Sequence, residues 1–162
     1  MSRRLGKVAV VFVIVVGVLF AAAQLVRPER TNPPTVSNQT FQATVAANGN
    51  LVAVIDRSCG DCHSNATVWS RYSTTAPLSW LIVRGVNEGR NALNFSEWGS
   101  YPLEKRRALL EASCRDARDG KMPVRVYLRF RPEARLSASD VETICAASNQ
   151  TETNTAANAA TH

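Results

Sequence analysis

The sequence predicts an all-helical domain carried behind a single N-terminal membrane-spanning helix. Three observations lead there: an uncharged apolar run near the N-terminus, apolar residues that recur at helical spacing afterwards, and capping residues at the expected helix starts. The run from Val8 to Val26 holds no charge, and Gln24 is its only strongly polar side chain. Its 19 residues would rise about 28 Å as a helix, close to the thickness of a bilayer core. Arg3, Arg4 and Lys7 stand before it, which by the positive-inside tendency keeps the N-terminus in the cytoplasm and exports the chain beyond Val26. A cleaved signal peptide is the competing reading, since Ala21, Ala22 and Ala23 offer small residues after an apolar stretch. The run continues through Leu25 and Val26, so residues 1–26 are read as a retained anchor, or an uncleaved signal.

Residues 27–46 carry Pro28, Pro33 and Pro34 among Thr, Asn and Ser, and are expected to be an extended linker. A domain over 47–148 comes next. Leu51, Val52, Val54 and Ile55 suit one helix face, with Asn48 or Asn50 as N-cap, although a strand is also compatible. A second helix is expected to start near Pro77 and run through Trp80, Leu81, Ile82 and Val86 towards Gly89. Asn91 to Ser100 reads as loop. A third helix, Leu103 to Arg118, places Leu103, Leu110, Cys114 and Ala117 on one face and ends at Asp119-Gly120. The last helix opens with Ser137 as N-cap, Asp140 three residues later, and Leu136 set to pack on Val141, which turns Ile144 and Cys145 inward. Residues 149–162 are Asn, Thr and Ala with almost no bulky apolar side chain, and are expected to be a disordered tail. No internal repeat is visible.

With 162 residues, 45% of them hydrophobic and 20% charged, the chain holds one modest core rather than a disordered or polytopic structure. A net charge of +6 suits an acidic partner or a membrane surface, but no nucleic-acid-binding module accompanies it.

Cys59-Gly60-Asp61-Cys62-His63 is a C-x-x-C-H motif. Two residues between the thiols fold into one turn, which puts both sulfurs where they can add to the two vinyl groups of a haem. The next residue then points its imidazole at the iron. One covalent haem c is therefore the expected cofactor, held by Cys59, Cys62 and His63. Three rivals use the same residues. Thiol–disulfide exchange motifs usually follow a strand, whereas Asp56, Arg57 and Ser58 come before this one. A zinc site would need Cys114 or Cys145 as a fourth ligand. A disulfide across Cys59 and Cys62 would close a strained ring.

The second axial ligand is read as Met122, which comes after Asp119-Gly120-Lys121 and precedes Pro123; the chain's other methionine is Met1. An open iron, or ligation by His162, are the alternatives. Trp69, Tyr72, Pro77 and Trp80 are expected to wall the porphyrin, though the same residues would serve as plain core. Lys121, Arg125, Arg129, Arg131 and Arg135 could pair with propionates, face a redox partner, or simply be a solvated surface. Cys114 and Cys145, both on inward helix faces in an exported chain, are expected to form a disulfide, with two buried thiols as the alternative.

The chain resembles a family of small bacterial haem-binding domains that have an N-terminal membrane helix, one C-x-x-C-H and a later Met-Pro. The resemblance runs from about Gln24 to Ala147. It is carried by Gln24-Leu25, Arg30-Thr31-Asn32-Pro33-Pro34, Cys59 to Asn65, Trp69, Tyr72-Ser73, Ala76-Pro77 and Ser79-Trp80-Leu81. It continues through Asn94-Phe95-Ser96-Glu97-Trp98, Gly120-Lys121-Met122-Pro123, Tyr127 and Pro132-Glu133-Ala134-Arg135-Leu136-Ser137. It implies a cytochrome-c-like helical fold wrapped around one haem, with His63 and Met122 as axial ligands. Where the family often has a histidine before Pro-Glu-Ala, this chain has Arg131, so that position offers no ligand.

The function expected from these readings is electron transfer outside a bacterial cytoplasmic (inner) membrane, on the periplasmic side, with a membrane-associated redox partner protein. A haem peroxidase using an open iron and Arg125, and a haem sensor or accessory subunit, are the rivals. No acid–base or nucleophile constellation stands out, so an electron carrier is preferred over a catalyst.

Overall fold

Helix α1 (Ser2–Ala23) arises directly from the apolar run, and its Arg4–Ala23 stretch is long and apolar enough to cross a membrane. The computed structural model describes residues 2–45 and 48–159. The helix stops three residues short of Val26, and Gln24 is the reason. Its side-chain amide donates to Phe20 O at 3.0 Å and to Ala76 O at 3.2 Å, while Ala76 N donates back to Gln24 Oε1 at 3.0 Å. The one strongly polar residue of the run thus pins the helix end to the domain.

The linker after α1 is extended but lies against the domain rather than free of it. Arg90 donates to Thr31 O at 2.8 Å and to Asn32 Oδ1 at 3.1 Å, Trp69 Nε1 donates to Asn32 Oδ1 at 3.1 Å, and Asn65 Nδ2 donates to Pro34 O at 3.3 Å. The linker ends in a short helix, α2 (Phe41–Thr44), capped by the Thr40 hydroxyl, and Phe41 is fully buried.

Helix α3 (Gly49–Ser58) takes the Asn48 cap and buries Leu51, Val54 and Ile55, so the helical option for this segment prevails over the strand. It leads into the single turn α4 (Gly60–His63), then α5 (Leu78–Ala92), which starts after Pro77. The segment read as loop, Asn91 to Ser100, holds the end of α5 and a 3₁₀ turn over Phe95–Ser100. Phe95 and Trp98 from that turn sit edge-on to Phe41, each ring 5.1 Å from it, so the turn is core rather than surface.

Helix α6 (Leu103–Arg118) and α8 (Ala138–Ala159) pack side by side and are joined by a disulfide between Cys114 and Cys145, Cα atoms 4.8 Å apart. Leu110, Cys114 and Ala117 face inward as expected, but Leu103 is exposed because the first turn of α6 lies beyond the buried seam. Between them lies the short α7 (Arg125–Leu128). At the start of α8, Asp140 accepts from Ser137 N and from Arg57 on α3, both at 2.8 Å. The segment expected as a tail continues α8 to Ala159; Ala160 to His162 lie outside the described residues, as do Ala46 and Ala47. No strand occurs among the described residues, so the fold is all-α.

Candidate functional site

The break between α3 and α4 builds the motif. Cys59 closes α3 by donating its amide to Ile55 O at 2.8 Å, and its own carbonyl accepts from Cys62 N at 3.2 Å and His63 N at 3.0 Å. Cys59, Cys62 and His63 therefore share one helical turn, and the two cysteines are not disulfide-bonded. His63 Nδ1 lies 3.0 Å from Leu93 O. A carbonyl can only accept, so Nδ1 carries the proton and Nε2 keeps its lone pair. Burial lowers the imidazole pKa, which favours the neutral, ligating form.

Gly89 on α5 lets this turn sit so close. A Cβ there would come within 2.5 Å of Cys62 O. Leu93 N also donates to Gly89 O at 2.9 Å, so one end of α5 supplies both the close approach and the carbonyl that orients His63.

Cys59, Cys62 and His63 form one wall of a cleft enclosing about 960 Å³, its open mouth included. Ile55, Leu93, Phe95 and Ile144, Leu109 and Ala117 of α6, and Met122, Pro123, Val124 and Tyr127 line the same cleft. Met122 reaches this place because α6 ends at Gly120, whose φ of 63° is in the left-handed region that favours glycine. The chain then turns back, and Lys121 N and Met122 N both donate to Asp116 O, at 2.9 and 3.2 Å. Met122 is 43% exposed, at the mouth rather than deep in the cleft. His162 lies outside the described residues.

Asp61, at a variable position of the motif, ties the turn to the opposite wall. Its Oδ2 accepts from Tyr127 OH at 2.8 Å and pairs with Arg131 at 3.0 Å; its Oδ1 accepts from Val68 N at 3.1 Å. Burial, with this hydrogen bond, pushes the Tyr127 phenol pKa well up, so the hydroxyl stays a donor. Arg131, expected to meet a propionate or a partner, is thus engaged within the protein. Lys121 pairs with Asp119 at 2.7 Å, whereas Arg125, Arg129 and Arg135 are exposed.

The four residues expected to wall the porphyrin sit in different places. Trp69 lines a second apolar cleft, about 750 Å³ with its open mouth included, that shares Cys62, Val124 and Tyr127 with the first. Tyr72, Pro77 and Trp80 line neither: Tyr72 packs on Phe130 with ring centres 4.6 Å apart, Pro77 opens α5, and Trp80 donates to Val26 O at 2.8 Å. The apolar lining comes instead from α3, α6 and α8, whose inward residues read in sequence as ordinary core.

The donor set fits a haem. It offers an imidazole with a free Nε2, a thioether in the lining of the same cleft and two thiols on the same turn as the imidazole, within largely apolar walls. Ser58 Oγ, on the same wall, is buried and has no hydrogen-bond partner among the described residues. Zinc fits poorly, because Cys114 and Cys145 are bonded to each other and cannot complete a four-ligand set. Thiol exchange fits poorly too, since burial pushes the Cys59 thiol up to about 12 and raises that of Cys62.

A family model described as a haem-binding domain matches residues 18–150, well over half of the chain. The chain belongs to the haem-binding domain family. The matched region takes in the end of α1, the linker, the C-x-x-C-H turn, Met122, α6 and the first part of α8 with its disulfide to α6. No curated protein and no solved structure matches the chain.

Proposed function

We propose that this member of the haem-binding domain family is a c-type cytochrome that carries one covalent haem outside the cytoplasmic membrane and passes electrons. The observation that supports it is the meeting of Cys59, Cys62, His63 and Met122 in a single cleft. When bound, haem supplies a one-electron couple within reach of the protein surface. The chain's own residues supply everything else. Cys59 and Cys62 would hold the haem covalently, each thiol adding across one vinyl group so that sulfur gains a C–S bond and the hydrogen goes to the neighbouring carbon. His63, held by Leu93 O in the tautomer that leaves Nε2 free, and Met122 through its Sδ would hold the iron. The apolar walls from α3, α6 and α8 exclude water, which favours a stable couple over ligand chemistry.

The anchor α1 keeps the domain at the membrane, with the residues after it on the periplasmic side by the charge of Arg3, Arg4 and Lys7. Exposed Arg125 and Arg129, on and just after α7 beyond Met122, form a basic rim that suits an acidic, membrane-associated redox partner. The exposure of Met122 favours one second reading, a sensor or accessory subunit in which the thioether yields to an external ligand.

Haem staining after denaturing electrophoresis tests the proposal. The full chain should retain stain, and Cys59→Ala with Cys62→Ala should lose it entirely. Stain that persists in the double variant overturns covalent attachment at this motif.

A further inference from the structure

A small pocket, about 350 Å³ with the open space at its mouth included, lies where the chain leaves α1, lined by Arg27, Pro28, Arg30, Ser73, Thr74 and Ser79. Arg27 Nε donates to Gln24 O at 3.2 Å, and Arg30 Nη1 donates to Ser73 Oγ at 3.3 Å. Neither guanidinium is in an ion pair among the described residues, and Glu29 between them pairs with neither. Ser73 Oγ and Thr74 Oγ1 donate their hydrogens to Ser70 O and Arg71 O, both at 2.6 Å, so what the hollow offers a ligand is two unneutralised guanidinium groups, which suit a phosphate-type anion.

The surroundings say where that anion comes from. Leu25 and Val26 are 85% and 64% exposed, and Leu81 next to Trp80 is 53% exposed, so the exit of α1 wears an apolar collar. The Trp80 indole is fastened to Val26 O, the placement of an aromatic residue at a membrane–water boundary. Gln24 fixes the helix end to Ala76, three residues from Ser73 and three from Ser79, so pocket and collar move as one unit with the span. An apolar collar with a cationic pocket beside it matches the boundary between acyl chain and headgroup.

We infer that Arg27 and Arg30 bind the phosphate of an anionic phospholipid in the leaflet that surrounds the C-terminal end of α1. The inference rests on the reading of α1 as a bilayer span. Binding sets the domain at a fixed height and rotation on the membrane. It involves none of the residues that line the haem cleft.

The test uses the full chain in detergent, exchanged into mixed micelles that contain phosphatidylglycerol or phosphatidylcholine, with retained lipid counted by native mass spectrometry. Phosphatidylglycerol should be retained over phosphatidylcholine by about fivefold or more. Arg27→Gln with Arg30→Gln should abolish that preference, while the charge-matched control Arg115→Gln with Arg118→Gln should keep it. A preference that survives Arg27→Gln with Arg30→Gln overturns the site. Inorganic phosphate that binds the lipid-free chain and is lost in Arg27→Gln with Arg30→Gln, with no preference for phosphatidylglycerol over phosphatidylcholine, overturns the lipid as its ligand. Carbonate extraction of the same variants separates this from the anchor itself: chains that stay in the membrane but lose the preference support the site, and a wild-type chain that washes off overturns the span.

Discussion

The ring of His63 is set by the carbonyl of Leu93, 3.0 Å from Nδ1, and both residues are held by the same end of α5 through Gly89. Gly89→Ala should therefore destabilise the fold by about 1–3 kcal/mol, because a Cβ would press on the Cys62 carbonyl, even though alanine is the better helix former. Gly85→Ala on the same helix meets nothing within 4 Å and should stabilise by up to about 1 kcal/mol. Urea midpoints of the two variants would display the opposite signs. Equal shifts would mean that the close packing of α4 on α5 is not what fixes the turn.

Met122→Ala should leave the haem attached, because Cys59 and Cys62 are untouched, while lowering the potential and opening the iron to carbon monoxide. A soft thioether favours the ferrous state, which is why its loss lowers the potential. Redox titration and carbon monoxide difference spectra report both effects. Gly120→Ala should produce a weaker version, at about 1–2 kcal/mol in stability, since its φ of 63° suits glycine and the turn it makes aims Met122.

Loss of the Cys114–Cys145 disulfide should lower stability by about 3–4 kcal/mol in the chain-entropy model, given a separation of 31 residues. Cys114→Ser with Cys145→Ser, compared with the parent in denaturant under non-reducing conditions, measures this. Because the bond joins α6 to α8, the variant should also lose cleft integrity, read as a broadened haem absorption band.

The carboxyl of Asp140 titrates below its ordinary value of 3.8, chiefly because it accepts from Ser137 N, with Arg57 adding to the effect. A depressed folded pKa means stability that is present above the unfolded value and lost as pH falls through the folded one. Asp140→Asn should cost about 0.5–2 kcal/mol at pH 7, the range of a helix cap. The difference from the parent should shrink below about pH 4, as the unfolded carboxyl takes up its proton. Thermal melts at pH 7 and pH 3 would reveal it, and a pH-independent difference would contradict the capping role.

Much of this was legible in sequence because short-range chemistry decided it. The cap at Asn48, the Ser137/Asp140 pair, the break at Asp119-Gly120 and the C-x-x-C-H turn all depend on residues a few positions apart. What stayed hidden depends on tertiary placement. Helical spacing around Trp80 gives a buried or exposed face but not the neighbour it meets, and that neighbour is Val26, 54 residues away. Asp61 stands at a motif position that carries no pattern, yet three donors from two other segments converge on it. The backbone carbonyl of Leu93 leaves no trace in residue identity. Phe95 and Trp98 sit in a segment rich in Asn, Ser and Gly, which reads as loop until Phe41 arrives from far upstream to pack on both.

The hydrogen bonds that strap residues 31–34 onto Arg90, Trp69 and Asn65 turn a leash into a post. A domain on a slack tether could sweep out a hemisphere and seek its counterpart. This one holds the mouth of its cleft at one bearing relative to the helix that roots it. Whatever meets that mouth must travel to it, and lengthening the chain before Thr31 should change that little only while Gln24 stays bonded to Ala76.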